Sequence, residues 1–135
     1  MKIICVGRNY ASHIKELQNE KPESPVLFIK PATSVLPEHQ PFVIPSFSKN
    51  VHYEVELLVK LSKRGKDIQP PYAKDYYEEV SLGIDFTARD VQTQLKNKGL
   101  PWEKAKAFDG SACISTKWLA VDKMNTSDIH FSLQV

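Results

Sequence analysis

The stretch Val51-His52-Tyr53-Glu54-Val55-Glu56-Leu57-Leu58-Val59 constrains this chain more than any other. Its β-branched and aromatic residues predict a strand, in which successive side chains point to opposite faces. His52, Glu54 and Glu56 then share one face, and Val51, Tyr53, Val55 and Leu57 share the other. Two carboxylates at neighbouring same-face positions lie only about 7 Å apart. Where water is scarce they repel each other. The face therefore stays solvated, or it takes a positive partner: a divalent metal ion, or one or two basic side chains. The strand alone leaves these alternatives open.

A chain of 135 residues is long enough to bury one core. With 41% hydrophobic and 25% charged residues it has a globular composition, not a disordered one. A formal net charge of +2 is too mild to argue for nucleic acid or an anionic membrane as partner. The apolar run Ile3 to Val6 is too short for a signal peptide or a membrane span, and the Lys/Arg-poor start gives no transit peptide. Cys5 and Cys113 lack metal-site spacing and do not suggest a disulfide scaffold. These features predict a cytoplasmic protein with reduced thiols.

Strands are expected at Lys2–Val6, Val26–Lys30, Phe42–Ile44, Val51–Leu61 and Val80–Phe86. Short helices are expected over Asn9–Asn19, over Tyr72–Glu79 and after Thr87, which reads as a capping residue with Asp90 three positions on. Gly99 and Pro101 mark the stop of that last helix. Ile129–Val135 alternates apolar and polar residues like a half-buried strand and has no partner after it. The expectation is a fragment, or a domain whose sheet is completed elsewhere.

Asp85, near the end of an expected strand, joins Glu54 and Glu56 as a third acid. Three carboxylates suit magnesium or manganese and disfavour zinc. His13 and Glu16 are spaced to face the same way on a helix, where a carboxylate raises imidazole basicity; a plain surface pair has the same spacing. Lys30, Arg89 and Lys106 are candidate anion binders, and Gln92 lies one helical turn beyond Arg89.

Five motifs in order now become recognisable: Gly7-Arg8-Asn9-Tyr10-Ala11-x-His13, Phe28-Ile29-Lys30-Pro31, His52-Tyr53-Glu54-Val55-Glu56, Asp85-Phe86-Thr87-Ala88-Arg89-Asp90-Val91-Gln92 and Lys106-Ala107-Phe108-Asp109. Together they resemble the fumarylacetoacetate hydrolase family, in particular its acylpyruvase and oxaloacetate decarboxylase branch. The resemblance implies an α+β, mainly β fold: a mixed β-roll with short helices, incomplete at its C-terminus. Residues 1–20 would form the first strand and a lid helix, and residues 21–135 the N-terminal part of the metal-binding catalytic domain. It implies that Glu54, Glu56 and Asp85 bind Mg2+ or Mn2+, and that Lys106, His13 and Glu16 are catalytic. Arg89 and Gln92 would lie on the substrate side, with Arg8, Tyr10 and Lys30 as neighbours. The homodimer is likewise an implication of the resemblance.

The activity so implied is metal-dependent carbon–carbon bond cleavage in short 2-oxo acids, by acylpyruvate hydrolysis or oxaloacetate decarboxylation, through a metal-stabilised enolate. Two alternatives accompany it. One is an isomerase or hydratase of unsaturated dicarboxylic 2-oxo acids. The other is a truncated, non-catalytic metal-binding module.

Overall fold

The computed structural model describes residues 1–10, 22–126 and 128–134. Two sheets organise them. Strand β1 (Ile3–Gly7) pairs antiparallel with β2 (Val26–Lys30), with Ile3 opposite Lys30 and Gly7 opposite Val26. Alternation along this pair turns Ile4, Val6, Leu27 and Ile29 outward, all exposed, and Cys5, Phe28 and Lys30 inward.

The second sheet is built on β3 (Val51–Leu61) and β4 (Tyr77–Ala88), antiparallel, with a register shift at Lys60/Leu61. Strand β4 is its spine. It also pairs with β5 (Ala112–Ile114) and, further along, with β6 (Leu119–Ala120). Helix α1 (Arg89–Asn97) follows β4 directly, and the short helix α2 (Glu103–Lys106) comes next.

On β4 the usual relation between polarity and burial is inverted. Ser81, Gly83, Asp85 and Thr87 are buried, while Leu82, Ile84 and Phe86 are half-buried. The polar face is closed over by β2 and α2, whose Lys30 and Lys106 reach Asp85. The apolar face is covered in part by the preceding loop, where Phe42 stacks on Phe86 at 3.7 Å between ring centroids. The chain exposes 10139 Å², well above the roughly 7,100 Å² of a compact monomer of its mass.

Three local expectations are corrected and one changes its bounds. Phe42–Ile44 forms no strand: Pro41 and Pro45 bracket it and Phe42 turns onto Phe86 instead. The short helix expected over Tyr72–Glu79 is present with earlier bounds: it is a 3-10 helix over Pro70–Tyr76, and β4 begins at Tyr77. Thr87 does not cap α1: it lies in β4, fully buried, and Ala88 precedes the helix. Residues 129–134 lack regular structure, since the alternating pattern has no ladder to join among the described residues. The helix expected over Asn9–Asn19 falls almost wholly outside the described residues.

Candidate functional site

Strand pairing puts the acids together. Glu54 of β3 stands directly opposite Asp85 of β4, His52 is opposite Thr87, and Glu56 is opposite Gly83. All six positions share one face of the sheet by the period of two. Gly83 is required there, because a Cβ would lie 2.6 Å from the Cys113 carbonyl oxygen and 2.9 Å from Leu58 Cδ1.

The positive partner demanded by the acidic face is a set of basic side chains. Lys106 Nζ donates to Glu54 Oε2 at 2.6 Å, Asp85 Oδ2 at 2.7 Å and Thr87 Oγ1 at 2.6 Å. The Phe28 ring lies beside the same ammonium, 5.2 Å from its centroid. Arg89 pairs through Nη2 with Glu54, through Nη1 with the Gln92 amide oxygen, and donates from Nε to His52 Nδ1 at 3.4 Å. Lys30 sits behind this layer, 1% exposed, with Nζ donating to the Lys106 carbonyl and, at 3.0 Å each, to the carbonyl and hydroxyl of Ser111.

These charges set the proton affinities. Burial alone would raise the Glu54 carboxyl, but Lys106 and then Arg89 more than offset it and hold it at about 2. Glu56 has no such compensation. Burial, with Asp85 and Glu54 nearby, pushes its carboxyl up to about 7 despite a hydrogen bond from Tyr10. Burial also pushes the Cys5 thiol up to about 11, with the Asp85 charge adding to it. Burial lowers Lys30, and Asp85 opposes that change.

The chemistry of the donor set fits a hard divalent cation. Three carboxylates line one face, and carboxylate oxygens are the ligands such an ion takes. Asp85 Oδ1 is buried and ion-paired with Lys30 Nζ at 2.9 Å. As the side chains stand, no three His, Cys, Asp or Glu groups among the described residues converge on one metal position. The gap between Glu54 and Asp85 is filled by the Lys106 ammonium.

The structure thus brings Glu54, Asp85, Lys106, Arg89 and Gln92 into one hydrogen-bonded cluster. Glu56 lies one step along the strand with Tyr10, whose hydroxyl also accepts from the Leu57 amide at 3.3 Å. Arg8, half-buried at a left-handed φ of 55°, lies near Lys96. Burial first, then the charges of Arg8 and Arg89, depress the Lys96 ammonium. His13 and Glu16 lie outside the described residues. Sequence reasoning missed Thr87 as a hydrogen-bond acceptor, and Cys5, Ser111 and Lys96 as neighbours. Thr87 alone left a signal, an alternation that continues unbroken from Ser81 through Asp85.

An open cleft of about 830 Å³ runs along β3, lined by the six residues from Val51 to Glu56, by Tyr10 and, from the tail, by Ile129, His130 and Phe131. Phe131 meets the Tyr10 ring edge-on at 6.3 Å. No described helix is long and apolar enough to cross a membrane.

The mostly antiparallel β-architecture carries an inward acidic face whose Glu54 and Asp85 are paired with cations. Residues 2–135 match the family model described as fumarylacetoacetate (FAA) hydrolase C-terminal, and the chain belongs to that family. It is 50% identical over 113 residues to the mitochondrial oxaloacetate tautomerase FAHD1 of Mus musculus, covering 84% of this chain and 51% of that protein. It is 46% identical over 114 residues to oxaloacetate tautomerase YcgM of Escherichia coli, covering 84% and 52%. The crystal structure of fumarylpyruvate hydrolase from Pseudomonas aeruginosa in complex with Mn2+ and pyruvate aligns with a TM-score of 0.78 at 39% identity, covering 84% of this chain and 51% of that one. The chain spans about half the length of these relatives.

Proposed function

We propose that this chain carries the metal- and substrate-binding face of an enzyme acting on short 2-oxo acids, with oxaloacetate as the first substrate to test. The observation that carries this reading is the register pairing of Glu54 with Asp85 around a buried cation. Glu54, Glu56 and Asp85 would hold Mg2+ or Mn2+. In support, the Pseudomonas neighbour is described with a divalent ion and a 2-oxo acid together. When bound, such an ion supplies a Lewis acid that polarises the keto oxygen.

The remaining work falls to the chain's own side chains. Lys106 places positive charge beside the oxygen on which enolate charge develops. Arg89, held by Glu54, Gln92 and His52, keeps one further N–H on each terminal nitrogen for a substrate carboxylate. Tyr10 lines the cleft, Arg8 precedes Tyr10 by two residues in the chain, and Lys30 fixes Asp85 from behind. Tautomerisation, decarboxylation and acylpyruvate hydrolysis all develop the same enolate charge, so one set of cations serves all three. Hydrolysis alone needs a water activated by His13 with Glu16 behind it. A homodimer and a cytoplasmic setting complete the reading.

The test is oxaloacetate enol-to-keto conversion and CO2 release by the chain with Mn2+, compared with Lys106→Met. Catalysis above the buffer rate that is lost in the variant supports the reading. Equal rates in both proteins contradict it. Because the chain spans half the relatives' length, a binding module is the second reading. It predicts Mn2+ binding that oxalate does not strengthen.

A further inference from the structure

We propose that the Lys106 ammonium is an internal stand-in for the divalent ion, exchanged for it on metal binding and then neutralised by the incoming substrate carboxylate. The inference rests on the metal reading above and goes beyond it, because it gives Lys106 a role before any substrate arrives.

Three side-chain oxygens, one each from Glu54, Asp85 and Thr87, surround Nζ at 2.6–2.7 Å. That is an oxygen cage around a cation. Lys106 is 3% exposed, so its charge has little water and depends on these partners. A divalent ion bound by Glu54 and Asp85 needs the oxygens that the ammonium holds. Both cations in one cage would set a double charge against a single one across a few ångströms of buried space, a strong repulsion.

Of the two cations on Asp85, Lys106 is the one able to leave. Lys30 donates to two backbone carbonyls, which would lose a partner if it moved. Every acceptor of Lys106 Nζ in the cage is a side-chain oxygen, and two of them would be taken over by the metal. The backbone of Lys106 is meanwhile pinned by Lys30 and by the Ser111 hydroxyl, which donates to the Lys106 carbonyl at 2.9 Å. Exchange therefore needs a side-chain rotation and no backbone shift.

The charge balance explains the second step. Three carboxylates face three basic side chains: Glu54, Glu56 and Asp85 against Lys30, Arg89 and Lys106. A bound divalent ion leaves this group too positive. A substrate carrying two negative charges, such as a dicarboxylate with one carboxylate beside the expelled ammonium, restores balance. Metal and anion should then strengthen each other's binding, with Lys106 as the link.

The experiment has two arms. In the wild-type chain, amine acylation of each lysine is read by peptide mass spectrometry without metal, with Mn2+, and with Mn2+ plus oxalate. Lys106 should be protected at first, labelled several-fold faster with Mn2+ and protected again with oxalate, while Lys30 stays protected throughout. Unchanged Lys106 labelling while Mn2+ is bound by electron paramagnetic resonance overturns the exchange. In the second arm Lys106→Met, checked for wild-type circular dichroism, should bind Mn2+ alone about tenfold more tightly and lose its coupling to oxalate. Equal or weaker Mn2+ binding by the folded variant overturns the proposal. Absence of Mn2+ binding in wild type, with or without oxalate, removes the metal reading itself and the exchange with it.

Discussion

Glu54 and Asp85 face each other across the β3–β4 ladder, and a single ammonium bridges them at 2.6 and 2.7 Å. Like charges placed opposite each other in a sheet destabilise it. The pair persists because cations from α2, β2 and α1 converge on it. The acidic face is thus tied to three other elements.

That dependence makes Lys30 a structural keystone. Lys30→Met leaves Asp85 with a buried, under-compensated charge and takes one donor each from the Lys106 and Ser111 carbonyls. It should cost about 3–5 kcal/mol, whereas Lys2→Met on the exposed first turn should stay within about 0.5 kcal/mol. Urea unfolding of both variants checks the contrast.

Gly83 faces Glu56 and has no room for a side chain. Gly83→Ala drives a Cβ into the Cys113 carbonyl and should destabilise by about 1–3 kcal/mol. A thermal melt lowered by several degrees is the expected result.

The two glutamates predict opposite pH effects in the metal-free chain. Glu54 is held at about 2, below its usual 4.5. Its stabilisation is fully present above 4.5 and is lost as pH falls toward 2. Glu56 is raised from 4.5 to about 7. Between those values the folded state holds a proton that the unfolded state has released, so stability falls as pH rises from 4.5 to 7 and levels off above. Urea midpoints across this range, in EDTA, should show the decline, and Glu56→Gln should flatten it.

Arg89 reaches Glu54, Gln92 and His52 from three separate nitrogens of a planar guanidinium, a spread that a compact ammonium does not reproduce. Arg89→Lys should therefore raise KM for oxaloacetate about tenfold or more while preserving fold. Steady-state kinetics beside circular dichroism separates this from unfolding.

The strand Val51–Leu61 was legible because its composition and alternation agree with its place in a sheet. Val26–Lys30 was legible because Pro31 ends it sharply. Phe42–Ile44 misled because a β-rich tripeptide forms no strand without a ladder. Thr87 misled because Ser/Thr followed by an acid three residues on signals a cap only where the helix starts next to it, and here β4 runs one residue further. In the site, the acids and basic residues were readable as types. Their pairing was not, since the Lys106 cage joins residues 19 to 52 positions apart. Lys30 is further still from its partners Lys106 and Ser111.

Isothermal titration of Mn2+ into the wild-type chain and Glu54→Gln, each with and without oxalate, tests the central claim most directly. The account predicts saturable Mn2+ binding in wild type that oxalate strengthens, and a loss of at least about tenfold in the variant. Mn2+ binding of equal strength in both proteins, indifferent to oxalate, would contradict it.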